Sequence, residues 1–309
     1  MSSDALVTGV GMVTPAGRDA QSTWRALLAG GRYVRPLTDI DRAGCRTDFA
    51  GRIGDWSPPG DTENHDRICQ FAVAAAEDAL ADRASCGDSA ISDTVVLIGS
   101  SKGGIESFAL YNQQSHRGRS GFDCTRVADI PPDSAARRVA ERFGCAGMHV
   151  TVAACTTGTL AVIRGVQMLG DGDAEQVLCG GADASLHPLW FAAFEQMGAL
   201  APRPADGDVA RSCRPFDRSR AGLVLGEGAG VLRIETPDAA RRAGRTAIAR
   251  ILGYACTTDP AGLTQVSSDA TALSHAIRLA CSRAGIQPAD LACIHAHGTG
   301  TRINDAVEA

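Results

Sequence analysis

Two stretches of this chain end an apolar run on nearly the same turn. Val150-Thr151-Val152-Ala153-Ala154 leads into Cys155-Thr156-Thr157-Gly158-Thr159, and Leu291-Ala292-Cys293-Ile294-His295-Ala296 leads into His297-Gly298-Thr299-Gly300-Thr301. A strand and matching turn, present twice with a reactive side chain opening each turn, is what a duplicated fold converging on one site produces. The pattern restricts the chain to architectures made of two related halves.

In the first copy the run alternates apolar and small residues up to Ala154, as a buried strand does, and then changes period. Leu160, Val162, Ile163, Val166 and Leu169 follow helical spacing, so the segment reads strand, tight turn, helix. Cys155 falls at the turn. A thiol there lies at the positive end of the helix dipole among free backbone N–H groups, which lowers its pKa and favours the nucleophilic thiolate. The turn alone leaves a second reading open, that Cys155 is one more buried thiol among eleven cysteines.

The remaining residues supply strands and helices in alternation, which predicts a parallel or mixed α/β sheet. Strands are expected over 5–11, 94–99, 176–183, 246–258 and 291–301, and helices over 19–28, 65–81, 131–143, 189–200 and 267–284, the last with a serine cap. Gly30-Gly31 and Gly144 stop two of the helices. The 94–99 run is apolar throughout, as in a sheet covered on both faces. Residues 32–61 and 111–129 read as polar surface loops.

At 309 residues the chain is long enough for two domains or one large α/β unit. Its 30 basic and 35 acidic residues, a net charge of −5, argue against a nucleic-acid surface. No apolar run approaches the length of a membrane span, and Met1-Ser2-Ser3-Asp4-Ala5-Leu6 lacks a signal-peptide pattern, so a cytoplasmic protein is expected. Eleven cysteines without a C-x-x-C pair fit free thiols in a reducing compartment, with Cys179, Cys256 and Cys293 inside apolar strand-like runs.

Several motifs carry less than they first suggest. Gly9-Val10-Gly11 is followed by Met12-Val13-Thr14-Pro15, which breaks a dinucleotide fingerprint, and Gly226-Glu227-Gly228-Ala229-Gly230 has no lysine or helix start to cradle phosphate. His295 and His297 share a strand face, but no third ligand stands at metal spacing, and His295 is expected in packed core. Glu227 sits in an apolar hairpin and, if buried, needs a partner.

Ala154-Cys155-Thr156-Thr157-Gly158 resembles the active-site cysteine motif of the beta-ketoacyl-acyl-carrier-protein synthases, condensing enzymes of the thiolase superfamily. Three further stretches resemble that family in the right order: the opening strand and turn, Pro215-Phe216-Asp217 with the later Gly-Glu-Gly-Ala-Gly run, and His297-Gly298-Thr299-Gly300-Thr301. The resemblance implies an α/β thiolase-like fold, layered α-β-α-β-α, with its second half incomplete. It divides the chain into 1–245, bearing the nucleophile, and 246–309, the start of the second half.

It also implies decarboxylative Claisen condensation in fatty-acid or polyketide synthesis. Cys155 would carry the acyl group, and His297 would donate a hydrogen bond to the malonyl thioester carbonyl. No cofactor is needed, because loss of carbon dioxide drives the reaction. The implied partners are an acyl carrier protein, acyl and malonyl thioesters, and a second ketosynthase subunit as homodimer or heterodimer, with 176–183 pairing across the two-fold axis.

Ser100-Ser101-Lys102-Gly103-Gly104 falls where the family lines its acyl pocket with small or aliphatic residues. Lys102 either snorkels to solvent or forms a polar floor that rejects long saturated chains, since an unpaired ammonium against alkyl carbon is costly. The family continues beyond the His-Gly-Thr-Gly-Thr turn with a Lys…Gly-His run, including the expected lysine partner of Glu227, and a Gly-Phe-Gly-Gly loop. Neither occurs in these 309 residues. The expectation is therefore uncovered apolar sheet surface, in a fragment of an ordinary ketosynthase, a short form completed by a fuller subunit, or a non-condensing partner like the chain-length factors. Retention of Cys155 argues against the last.

Overall fold

The computed structural model describes residues 5–38, 45–81, 92–118, 123–262 and 266–309. In chain order its strands and α-helices are β1 (Ala5–Val13), α1 (Ala20–Leu28), β2 (Arg35–Pro36), β3 (Phe49–Ala50), α2 (Arg67–Ala79), β4 (Val95–Gly99), α3 (Ile105–His116), α4 (Cys124–Val127), α5 (Ser134–Phe143), β5 (Gly147–Met148), α6 (Thr157–Asp171), β6 (Gln176–Asp183), α7 (Pro188–Gln196), β7 (Gly228–Glu235), α8 (Pro237–Arg242), β8 (Ala249–Ile251), α9 (Thr271–Ala284) and α10 (Arg302–Glu308).

Six strands form one mixed sheet in the order β5-β4-β6-β7-β1-β8. β4 runs parallel to β5 and β6, whereas β7 is antiparallel to both β6 and β1. Each face is covered, which is why β4 is buried at every position. On one face Phe71, Ala72, Ala75, Ala76 and Ala79 of α2 and Ala135, Ala136, Val139 and Phe143 of α5 pack on Val96, Ile98, Leu178 and Val231. On the other, Ala161, Val166 and Leu169 of α6 pack on Val95, Leu97, Val177, Cys179 and Ile234. The burial follows from sequence: helical spacing on α2 and α6 makes one apolar stripe each, and alternation on the strands sends successive side chains to opposite faces.

The glycines of β1 have a packing role. A Cβ on Gly11 would lie 1.8 Å from the carbonyl oxygen of Ala75, and one on Gly9 would lie 2.1 Å from that of Ala79. The α2 backbone therefore rests directly on the strand. Gly11→Ala is expected to destabilise the fold by about 3 kcal/mol, because neither backbone has anywhere to move. Urea denaturation checks this, and a loss below about 1 kcal/mol would count against direct backbone contact.

Several elements differ from expectation. Residues 150–153 form no ladder, and Val150 and Val152 are 43% and 54% exposed, because only Gly147–Met148 reaches β4 at the edge of the sheet. β6 is a central strand with both edges hydrogen-bonded, so 176–183 has no edge to offer across a two-fold axis. The loop expected over 111–129 instead contains the end of α3 and all of α4, with 119–122 outside the described residues.

The second half departs furthest. Of 246–258 only Ala249–Ile251 is strand, paired to β1, and 291–301 contains no strand. A strand needs a ladder partner, and among the described residues these runs have none beyond β1. Leu252, Leu291 and Ile294 are consequently exposed, as are Cys256, Cys293 and His295, which were expected inside strands or packed core. Helix α9 starts at Thr271 after Ala270, without a side-chain cap, rather than at a serine. No described helix is long and apolar enough to cross a membrane.

Candidate active site

Cys155 stands in a single 3-10 turn, Ala154–Thr156, immediately before α6. The turn is tight enough to put Ala154 at a φ of 47°, a left-handed conformation that costs an alanine energy and must be held by its surroundings. Two threonines hold it. Thr157 Oγ1 accepts from Ala153 N–H at 2.8 Å and donates to Ala154 O at 2.7 Å, and Thr156 Oγ1 donates to Ala153 O at 2.8 Å. The motif residues after the cysteine are therefore the braces of its turn.

The turn is seated where two strand ends converge. A Cβ on Gly99, the last residue of β4, would lie 2.2 Å from Thr157 Cγ2, and one on Gly181 of β6 would lie 3.2 Å from Gly158 Cα. Small residues at these positions bring the cysteine to the carboxyl ends of the parallel strands.

The structure brings His297 to Cys155 across 142 residues of sequence, near enough for imidazole and thiol to act on one another. The histidine's hydrogen-bonding influence is the largest on the thiol, holding it below its usual range against the opposing effect of burial. Its charge, the cysteine's own backbone N–H and the Lys102 ammonium act in the same direction. The helix-terminus argument gave the right direction, but its largest cause is the histidine. Reciprocally, His297 is raised above the usual imidazole value by the Cys155 contact first, against burial, with Glu308 and Asp305 adding to the rise.

Two carboxylates that sequence reading missed shape the histidine turn. Glu308 on α10 accepts from the backbone N–H of His297 and of Gly298, both at 2.7 Å. Asp305, three residues earlier, is fully buried and accepts from Phe216 N–H at 2.8 Å and Gly300 N–H at 3.1 Å. Burial pushes Asp305 up, but these donors, Asn304 and Arg220 outweigh it and keep it below the usual carboxylate range. Phe216, at a φ of 64°, thereby ties the Pro-Phe-Asp motif to the His-Gly-Thr-Gly-Thr turn. The signal in sequence was an Asp and a Glu three apart on the helix after that turn, one face of α10.

Lys102 is held in an ion pair beside the cysteine turn. Its side chain is only 16% exposed, and its Nζ lies 2.9 Å from Asp183 Oδ2 and 2.8 Å from Ser101 Oγ, so it is neither in free solvent nor unpaired. Gly103 is buried in the same turn at a φ of 69°. Glu227 is buried in the loop before β7. Its partner is Arg67 at the start of α2, bonded at 2.8 and 2.9 Å, rather than a lysine, and Ile53 N–H donates to it at 2.9 Å.

Cys155 and His297 are both exposed and face open solvent. Cavities of about 420 and 460 Å³ lie elsewhere, one lined by Arg203 and Arg214 and the other by Arg242 and Arg245, and neither includes the two candidate residues. The ten cysteines among the described residues are all free.

Residues 3–240 match the beta-ketoacyl synthase N-terminal domain and 248–309 match the beta-ketoacyl synthase C-terminal domain. The chain belongs to the beta-ketoacyl synthase family. It is 32% identical over 311 aligned residues to a 3-oxoacyl-[acyl-carrier-protein] synthase 2 of Staphylococcus aureus strain N315, covering 98% of this chain and 74% of that protein. A beta-ketoacyl synthase from Burkholderia phymatum STM815 superposes with a TM-score of 0.88 at 30% identity, covering 100% of this chain and 76% of that one. The ishigamide ketosynthase/chain length factor superposes equally, with a TM-score of 0.88 at 29% identity over 100% of this chain and 76% of that one. This beta-ketoacyl synthase thus has the thiolase-like α/β fold of acyltransferase-type condensing enzymes.

Proposed function

We propose that this chain accepts the acyl group in the decarboxylative Claisen condensation of a beta-ketoacyl-acyl-carrier-protein synthase. The observation that carries the reading is the Cys155–His297 contact at the start of α6. In the first step the Cys155 thiolate attacks the carbonyl carbon of an acyl-carrier thioester. The new bond is Sγ to carbon, the bond from that carbon to the carrier sulfur breaks, and the cysteine's proton, held by His297, passes to the leaving carrier thiolate, which returns the imidazole to its neutral form.

Acylation then changes the histidine. The thiolate that raised His297 becomes a neutral thioester, and its charge disappears while the effect of burial remains. A neutral imidazole donates its Nε2 hydrogen to the malonyl thioester carbonyl, where negative charge develops as carbon dioxide departs. The enolate carbon attacks the acyl carbon, a carbon–carbon bond forms, and Cys155 leaves as thiolate. The backbone N–H of Cys155 supports the oxyanion in this step. The nucleophile Cys155 and the imidazole that holds its proton both lie within these residues, so acylation is the step to test.

The sheet edge at β5 supports association with a second ketosynthase subunit, as homodimer or heterodimer. Met148, Val150 and Val152 are exposed along that edge, which has no neighbour among the described residues. The test of the main reading is intact mass after incubation with an acyl-carrier thioester. One acyl group per chain is expected, located on the peptide containing Cys155. A chain that binds a ketosynthase subunit but gains no acyl mass would support the non-condensing partner reading instead.

A further inference from the structure

His297 reaches Cys155 without help from the sheet. Residues 291–301 contain no strand, and the helix that follows, α10, has 7 residues, too few to hold a position by itself. Glu308 and Asp305 accept from the N–H groups of His297, Gly298 and Gly300, so the turn and α10 form one unit. Those bonds shape the unit and leave its place in the molecule open. Something outside 297–309 must fix where the imidazole stands.

Cys155 apart, the hydrogen bonds and ion pairs that join 297–309 to the other described residues all end on 216–222. Phe216 N–H donates to Asp305 Oδ2 at 2.8 Å, and Gly222 N–H donates to Gly300 O at 3.1 Å. Arg220 makes the others. Its Nε donates to Thr301 O at 3.1 Å and lies 3.5 Å from Asp305 Oδ2, while its Nη2 donates to Arg302 O at 2.9 Å. Nη1 donates to Asp217 O at 3.0 Å, which ties the guanidinium to its own loop. The Arg220 side chain is 18% exposed and that of Asp305 is fully buried, so little water competes for these bonds. One planar fork thus meets two carbonyls and a carboxylate of the histidine unit, an arrangement that a flexible ammonium does not reproduce.

The loop that carries Arg220 is itself fixed to the cysteine-bearing part of the chain. Leu223 N–H donates to Ala199 O at 2.8 Å, Ala201 N–H donates to Leu223 O at 2.9 Å, and a Cβ on Gly222 would lie 2.5 Å from Ala201 N. Leu200 and Leu223 pack in one apolar cluster with Phe191 of α7. On the other side, a Cβ on Gly300 would lie 2.7 Å from Gly222 O. Short contacts therefore run from α7 through 199–201 and 220–223 to the turn that His297 opens.

We propose that Arg220 is a positioning residue that holds His297 at Cys155 by locking the histidine turn and α10 onto the 214–222 loop. The proposal rests on the reading of Cys155 and His297 as the acylation pair. Among the described residues Arg220 bonds to neither of them, and it acts through the backbone of 301–302 and through Asp305. Without the fork the histidine unit keeps its shape but shifts against the cysteine turn. A reacting group displaced by about 1 Å can cost on the order of a hundredfold in rate.

The test measures two quantities on the whole chain and its variants. One is the rate of acyl mass gain at Cys155 from acetyl-pantetheine, and the other is the pH midpoint of iodoacetamide alkylation on the Cys155 peptide. Arg220→Met is expected to slow acyl gain by about tenfold and to move the midpoint upward, part of the way to that of His297→Ala. Arg220→Lys keeps the charge beside Asp305 but not the fork, so it is expected to fall between the wild type and Arg220→Met. It carries the test if the methionine variant does not fold. In a His297→Ala background Arg220→Met is expected to add no further shift, because the group it positions is gone. Wild-type rate and midpoint in folded Arg220→Met, or in Arg220→Lys where only that variant folds, overturn the positioning role and leave the ketosynthase reading standing. The same shift with His297 absent overturns it equally. No acyl gain by the wild type, or a midpoint unmoved by His297→Ala, overturns the reading of the pair and the proposal with it.

Discussion

Replacing Cys155 with alanine is expected to abolish acyl uptake, and replacing His297 with alanine to slow it on the order of a hundredfold at neutral pH. The two effects have different causes. Without Cys155 there is no atom to carry the acyl group. Without His297 the sulfur remains but loses the largest influence that keeps its pKa low. The thiolate is the stabilised form in the contact, so removing the partner demands a more alkaline pH to generate it. The pH midpoint of Cys155 alkylation by iodoacetamide should therefore move upward in His297→Ala. Lys102, the last of the influences on the thiol, should shift the midpoint less when replaced by methionine. An unchanged midpoint in His297→Ala would mean that the contact does not activate the thiol, and the acylation mechanism would lose its base.

This pair was legible in sequence because each residue opens one of two nearly matching turns after an apolar run. Its surroundings were less so. Lys102 and Asp183 are 81 residues apart, and Arg67 and Glu227 are 160 apart. Composition says only that a buried carboxylate needs a cation, not which one. Strand identity had a similar limit. The apolar character of 94–99 and 176–183 is a local property and survives as β4 and β6, but which strand lies central or at an edge depends on neighbours. That is why 176–183 read plausibly as an interface strand and is instead paired on both sides. The same reasoning explains 246–258 and 291–301. Their periods suit a sheet, yet only three residues of β8 find a ladder partner.

The second large effect concerns Glu227. Arg67→Met is expected to destabilise the chain by roughly 3–5 kcal/mol, because it leaves a buried carboxylate without its cation. Glu227 has a side chain only 2% exposed, and apart from Arg67 its bonded donor among the described residues is the N–H of Ile53. The arginine has more to fall back on. Its side chain is 17% exposed, donates to Ile53 O at 2.7 Å and lies 4.8 Å over the Phe71 ring. Glu227→Gln should therefore cost less than Arg67→Met, since the amide oxygen still accepts from Ile53 or Arg67 and no unpaired anion remains. The combination of Arg67→Met and Glu227→Gln should be less damaging than the sum of the two, because the second change removes the charge that the first one strands. Urea unfolding of the four proteins gives the coupling directly. A loss below about 1 kcal/mol for Arg67→Met, or strict additivity in the double variant, would mean that water reaches Glu227 and replaces its partner.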